Sequence, residues 1–269
     1  MRTKAAAYPY VAWGLLFIAI PLGLIMYFSF TDSAGSFTFE NIIQVGKYSN
    51  VVVKSVWLSA VSTVICIAAG YPVAYIMSRA TSMTSRTLLL LIMLPMWMNF
   101  LLRTYGWMSI LENSGILNQF FGLLGLGPFH MINTQGAVVM GMVYNYIPFM
   151  ILPLHSVMLK IGNDVIEAAQ DLGASPLRVL TDVVMPLSLP GIKTGVIMVF
   201  VPSVSTFVIS QMLGGGSNQL IGDIIELQFL GNAYNPNLGS AISFVLMLLV
   251  LLLMSVTGFM GDDLEENLI

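Results

Sequence analysis

The chain has 269 residues, 57% of them hydrophobic and only 9% charged, with a mean hydropathy of +0.86. A soluble domain is about 25% charged, so 10 Lys+Arg and 13 Asp+Glu cannot cover a water-exposed globule of this length, and the class is polytopic membrane protein. A net charge of −3 without a basic run excludes nucleic-acid binding, the lone Cys66 excludes a disulfide framework, and no G-x-x-x-x-G-K-[ST] run offers an ATP site.

Crossing about 30 Å of hydrocarbon takes roughly 20 apolar residues in a helix. The first run, about 8–30, follows Arg2 and Lys4. It is longer than a signal-peptide core and no A-x-A-like site follows, so a retained helix is expected. The second, about 55–78, is bracketed by Lys54 and Arg79. The third, about 87–111, begins after Arg86 and continues past Arg103. The fourth covers about 136–158, the fifth about 186–213 and the sixth about 239–260, ahead of the acidic tail Asp262, Asp263, Glu265 and Glu266. Between spans three and four, the stretch 116–126 is too short to cross, as is 221–230 between spans five and six. Both suit interfacial or re-entrant helices. With no internal repeat, the expectation is one all-α membrane domain over residues 1–269.

Orientation follows the Lys/Arg balance of short loops. An inside N-terminus places Arg2, Lys4, Arg79, Arg86, Lys160 and Arg178 in the cytoplasm, against Lys47, Lys54 and Arg103 outside. Lys193 can snorkel back to the cytoplasmic face. Both termini are therefore expected inside.

The loop at about 160–185 carries the most information. Asp164 with Glu167 three residues on reads as a capping box. Gly173 reads as a helix stop, and Ser175-Pro176 as a second cap with proline at the first helical position. Two short helices meeting at an elbow are predicted. Glu167-Ala168-Ala169, three residues, Gly173, nine residues, then Val183-Val184-Met185-Pro186 resembles the EAA loop, EAA-x3-G-x9-I-x-L-P. That loop marks the permease subunits of binding-protein-dependent ABC importers. Valine for isoleucine and methionine for leucine are conservative departures.

Longer segments are similar to the spermidine/putrescine permeases of that family. They include Leu94 to Trp97, Arg103 to Trp107, Val143 to Met150, Ala168 to Gly173, and Leu213 to Asp223 with Gln228-Phe229-Leu230. The resemblance implies a type I importer permease fold of six helices in a bacterial cell membrane. It implies a second permease subunit, two copies of an ATPase subunit that carry ATP and Mg, and an extracytoplasmic substrate-binding protein. This chain would bind no cofactor of its own. Its coupling contact with the ATPase would involve Glu167, Ala168, Ala169, Gly173 and Pro186, driving alternating access.

Candidate pathway residues are sparse. Trp107 suits an interface belt or a cation-attracting wall. Tyr144, Asn145 and Tyr146 precede Pro148 and Pro153, which free backbone groups within the fourth span. Asp223 and Glu226 share a helical face beside Gly214-Gly215-Gly216, where an amine arriving from outside could be received. Gly191 and Gly195 form a G-x-x-x-G packing pattern. His155 beside Ser156 lacks a third catalytic group, and no metal-ligand cluster stands out. Another substrate of the same family (ferric ion, thiamine, a small anion) stays open. A secondary transporter or channel would want paired intramembrane charges, which the spans lack.

Overall fold

In a computed structural model of the chain, residues 9–265 are described, with side chains through residue 255. Arg2, Lys4 and the acidic side chains Asp262, Asp263, Glu265 and Glu266 lie outside that description. The described residues are helical throughout apart from short connections and one isolated bridge between Thr31 and Phe37. Among the described residues, four helices are long and apolar enough to cross a membrane, and the number reaches six when each of two bent pairs is counted as one span.

Helix α1 (Pro9–Ser29) is the first span. Its turn Leu15–Ala19 is π-helical, with the Ile20 amide reaching back to Leu15 just before Pro21, which has no N–H to donate. A short α2 (Glu40–Val45) leads into α3 (Ser49–Arg79). The second span thus starts six residues before the expected position 55. Lys54 is not its boundary, because the long side chain carries its ammonium to Asn218 Oδ1 at 3.0 Å while its backbone stays in the helix.

The third span departs from the single helix expected over 87–111. It is broken into α4 (Ser82–Met93), a 3₁₀ turn at Leu94–Trp97 and α5 (Phe100–Leu111), with a 90° bend. Pro95 removes a donor, and Asn99 caps the new helix by accepting from the amides of Leu101 (2.9 Å) and Leu102 (3.3 Å). Arg103 Nη1 donates to Pro95 O at 2.7 Å, so its charge closes the break from within the same segment. Helix α6 (Ile116–Leu123) is the short helix expected there.

The fourth span, α7 (Gln135–Met158), matches its expected bounds within a residue. Helix α8 (Asn163–Asp171) and α9 (Pro176–Leu187) make the elbow. The fifth span is also corrected. It runs as α10 (Leu189–Ser205), set 70° to α9, and ends at an extended Thr206 before a separate α11 (Val208–Gly214). Pro202 weakens the ladder there, and Tyr146 Oη donates to Pro202 O at 3.4 Å. Helix α12 (Ile221–Phe229) precedes the last span, α13 (Pro236–Glu265).

Helices α3, α7 and α10 form the centre, and α13 packs on α1 and α12. Glycines set the closeness of the centre. A Cβ on Gly195 would meet Met150 Sδ, and one on Gly191 would lie 3.1 Å from Pro153 O. The G-x-x-x-G face therefore packs on α7, as a small-residue stripe allows. A second, smaller core joins Phe200, Val204, Ile221, Ile224 and Ile242. The membrane-length window of α1 buries none of its residues in this chain.

Candidate functional site: an elbow and an opposite end

Helices α3 and α7 finish at one end of the bundle, where Arg79 joins them. Its Nη1 donates to Ile161 O and Asn163 Oδ1, both at 2.9 Å, and its Nη2 to Met158 O at 3.2 Å. A guanidinium there satisfies carbonyls left open at a helix C-terminus and suits the negative end of the helix dipole. The bond to Asn163 places the first residue of α8. The sequence offered Arg79 only as a flanking charge, yet it anchors the elbow.

The capping role assigned to Asp164 and Glu167 is not what forms. Gly162 is the N-cap of α8, and no side chain accepts a bond there. Asp164 lies inside the first turn, where its charge still suits the helix N-terminus. The glycine has room in the extended conformation for the Asp164 carboxylate to fold over it. Glu167 is thus released from capping and is exposed.

The other elbow expectations hold in detail. Gly173 has φ +84°, its amide bonds to Gln170 O at 2.8 Å, and the Ala174 amide bonds to Ala169 O at 3.1 Å. That pair is a Schellman stop, which requires the left-handed conformation glycine adopts freely. Ser175 Oγ then accepts from the Arg178 amide at 3.4 Å with Pro176 at the first helical position. A π turn, Val179–Val184, precedes the exposed Pro186, repeating the pattern before Pro21.

Ile166, Val179 and Val184 bury the inner side of the elbow, each contributing about 2 kcal/mol on the apolar-area scale. Ala168 faces outward while Ala169 packs partly against the bundle core. The tip carries two apolar side chains that nothing in the chain covers, Leu172 at 90% exposure and Leu177 at 70%. The sequence reading singled out neither. The elbow is an outward-facing knob with Ala168 on its exposed side and leucines at its point.

Segments at the opposite end are tied by side chains from far apart in sequence. Asn218 Nδ2 donates to Asn133 O at 2.8 Å and to Gly214 O at 2.9 Å, while its Oδ1 accepts from Lys54. Ser55 Oγ accepts from the Ile221 amide at 2.8 Å. Asn237 Nδ2 donates to Thr31 O at 2.6 Å.

The candidate pathway residues fall into separate places. Trp107 and Tyr144 meet edge to face at 5.1 Å between centroids, with the Arg103 guanidinium 5.8 Å from the Tyr144 ring. This aromatic pair already faces a cation from its own chain. Asn145 is buried and donates Nδ2 to Gly141 O at 2.8 Å, leaving its Oδ1 without a partner, and Tyr146 turns to α10. Asp223 is not on a solvated face. It is 2% exposed, and Oδ2 accepts from the Leu220 amide. Glu226, partly exposed, accepts from Gln211 Nε2 at 3.3 Å. Burial pushes the Asp223 carboxyl above the usual carboxylate range. The Leu220, Ser210 and Gln211 contacts pull it back in part, and the Glu226 charge adds to the rise.

Comparison with known proteins places the chain. The sequence family described as "Binding-protein-dependent transport system inner membrane component" matches residues 67–264. The chain is 37% identical over 255 residues to the spermidine/putrescine transport system permease protein PotB of Haemophilus influenzae, covering 91% of this chain and 89% of that one. It is 35% identical over 256 residues to the Escherichia coli protein of that name, covering 91% and 93%. A bacterial ABC transporter structure involved in import of the acidic polysaccharide alginate superposes with a TM-score of 0.82 at 14% identity, covering 97% of this chain and 95% of that one. The chain belongs to the inner-membrane components of binding-protein-dependent transport systems: it is a multi-pass ABC importer permease, with ATP hydrolysis left to separate subunits.

Proposed function

We propose that this chain is one permease subunit of an ATP-driven polyamine importer, moving spermidine and putrescine. The observation that carries the substrate is the 37% identity to a spermidine/putrescine permease over 91% of the chain. The alginate transporter has the same fold at 14% identity, so architecture alone does not select cargo. The working assembly pairs this chain with a second permease subunit, two ATPase subunits and an extracytoplasmic binding protein that captures the substrate.

The elbow is the transmission element. Glu167, Ala168 and Gly173 present a face that a partner can approach closely, while Leu172 and Leu177 supply apolar points for a cleft. Ala169 packs against the bundle, and Pro186 stays exposed at the foot of the knob, where a partner can reach it. ATP-driven movement of the partner would be passed through the Arg79 anchor to α3 and α7 together. The elbow end lies in the cytoplasm, where Arg79, Arg86, Lys160 and Arg178 outnumber Lys47 and Lys54 of the opposite end. Trp107 and Tyr144, with Asn145 and Tyr146 behind them and Asp223 and Glu226 at the outer end, line or gate the route.

The test is reconstitution of the complete complex in vesicles with labelled spermidine and putrescine, after purification in mild detergent. Co-elution of the ATPase subunit and ATP-dependent uptake of either amine are expected. A complex that transports only an anion or a metal ion would refute the substrate, and a chain that never co-elutes with an ATPase would refute the coupling.

A further inference from the structure

Beside the break at Thr206, a recess of about 130 Å³ is walled by Gln211, Gly215, Gly216, Gln219, Asp223 and Leu227. One water needs about 10–15 Å³ of such space, so the recess has room for roughly ten waters, enough for an alkylammonium head and its adjoining methylenes. Its chemistry is one-sided. Asp223 Oδ1 is buried and has no hydrogen bond of full geometry, although its other oxygen caps α12 and the Ser210 and Gln211 side chains lie close enough to hold its pKa down in part. A buried acceptor left open is costly, and no base neutralises this one. The nearby Lys54 gives its ammonium to Asn218. Gln211 gives Nε2 to Glu226 and also lies against Asp223, and its amide oxygen remains to accept. Leu227 contributes an apolar wall.

We infer that this recess is a docking site for a single primary ammonium group, received by Asp223 Oδ1 and the amide oxygens of Gln211 and Gln219, with the adjoining methylenes against Leu227. An alkylammonium head brings three donors and a positive charge to acceptors that lack both. A divalent metal is poorly matched, since the described residues hold no group of three acidic, histidine or cysteine ligands. The site rests on the polyamine reading and deepens it, giving one end of the substrate a stop at the outer end of the route.

Asp223→Asn is the informative variant, because asparagine keeps an oxygen for the Leu220 amide while removing the charge. Gly216→Leu is the second, since a Cβ there meets nothing within 4 Å and the side chain would fill the recess. Thermal unfolding of the assembled complex is followed with propylamine hydrochloride and with potassium chloride at equal ionic strength. Propylamine should raise the wild-type Tm above the potassium value, as a ligand of the folded state does, and neither variant should show the difference. In vesicles, the maximal spermidine rate of Asp223→Asn should fall about tenfold, the scale of a lost charged hydrogen bond. Equal shifts with propylamine and potassium, or the same shift in the variants, would overturn the ammonium site. An amine-specific shift in a complex that carries no spermidine would instead overturn the polyamine reading and keep the site.

Discussion

At the elbow, a Cβ placed on Gly173 meets nothing within 4 Å; at the opposite end, one on Gly222 would lie 2.5 Å from the carbonyl oxygens of both Ser205 and Thr206. The first glycine is needed for its backbone angle and the second for its lack of volume. Around Gly173 the structure is made by neighbours in sequence, namely Gln170, Ala169 and Ser175. Around Gly222 it is made with residues far away, Ser55 reaching Ile221 while Asn218 joins Lys54 and Asn133. Substitution of Gly173 should therefore damage what the protein does, and substitution of Gly222 or its ties whether it holds its shape.

The sharpest way to break that contrast is Gly222→Ala. The methyl would press on backbone that is already fixed at the break after α10, so a loss of about 3 kcal/mol is expected, the upper part of the overpacking range. Low recovery of assembled complex and a lowered Tm would be seen. A variant that assembles and melts like wild type would show that the two helices can separate freely there.

Asn218→Ala comes next. It deletes donors to Asn133 O and Gly214 O and the acceptor for Lys54, for which about 2 kcal/mol is expected. Hydrogen exchange should quicken in α11 and α12 and stay unchanged at the elbow. Acceleration spread evenly over the chain would contradict a local knot.

Gly173→Ala sits on the other side of the comparison. Holding alanine at φ +84° costs about 1–2 kcal/mol, and the open space adds no clash. Tm should drop slightly while uptake drops strongly, because the Schellman stop sets the angle between α8 and α9. Parallel small losses in both would mean that the angle is not transmitted.

The smallest effect is a gain in stability. Asp223 has its pKa raised by burial, so its neutral form is favoured in the fold and ionising it costs stability as pH rises through the folded value. Asp223→Asn should thus melt slightly higher than wild type at neutral pH, and the advantage should vanish on acidification below the ordinary carboxylate range. An advantage that grows with acidity would reverse the sign and place a cation beside Asp223.

These differences also explain what the sequence could reveal. The Gly173 stop and the Ser175-Pro176 cap were legible because each uses a residue whose own conformational preference forces the turn. Spans were legible from apolar length, though the breaks near Asn99 and Thr206 were not, since hydropathy runs straight through them. Asp164 misled because a capping pattern does not specify register, and Gly162 took the cap position. Arg79 read as a flanking charge because its partners, Met158, Ile161 and Asn163, lie about 80 residues on. Asp223 read as open to an arriving amine because helical spacing gives a face without saying what covers it.

The central claim is that the elbow passes ATP-driven movement into the transport route. The most direct measurement is the ratio of spermidine taken up to ATP hydrolysed in vesicles holding the complete complex, compared between wild type and Gly173→Asp. The account predicts that the variant complex reaches the membrane and retains a Tm close to wild type, while uptake per ATP collapses. A Gly173→Asp complex that binds its ATPase and moves spermidine at the wild-type ratio would contradict it.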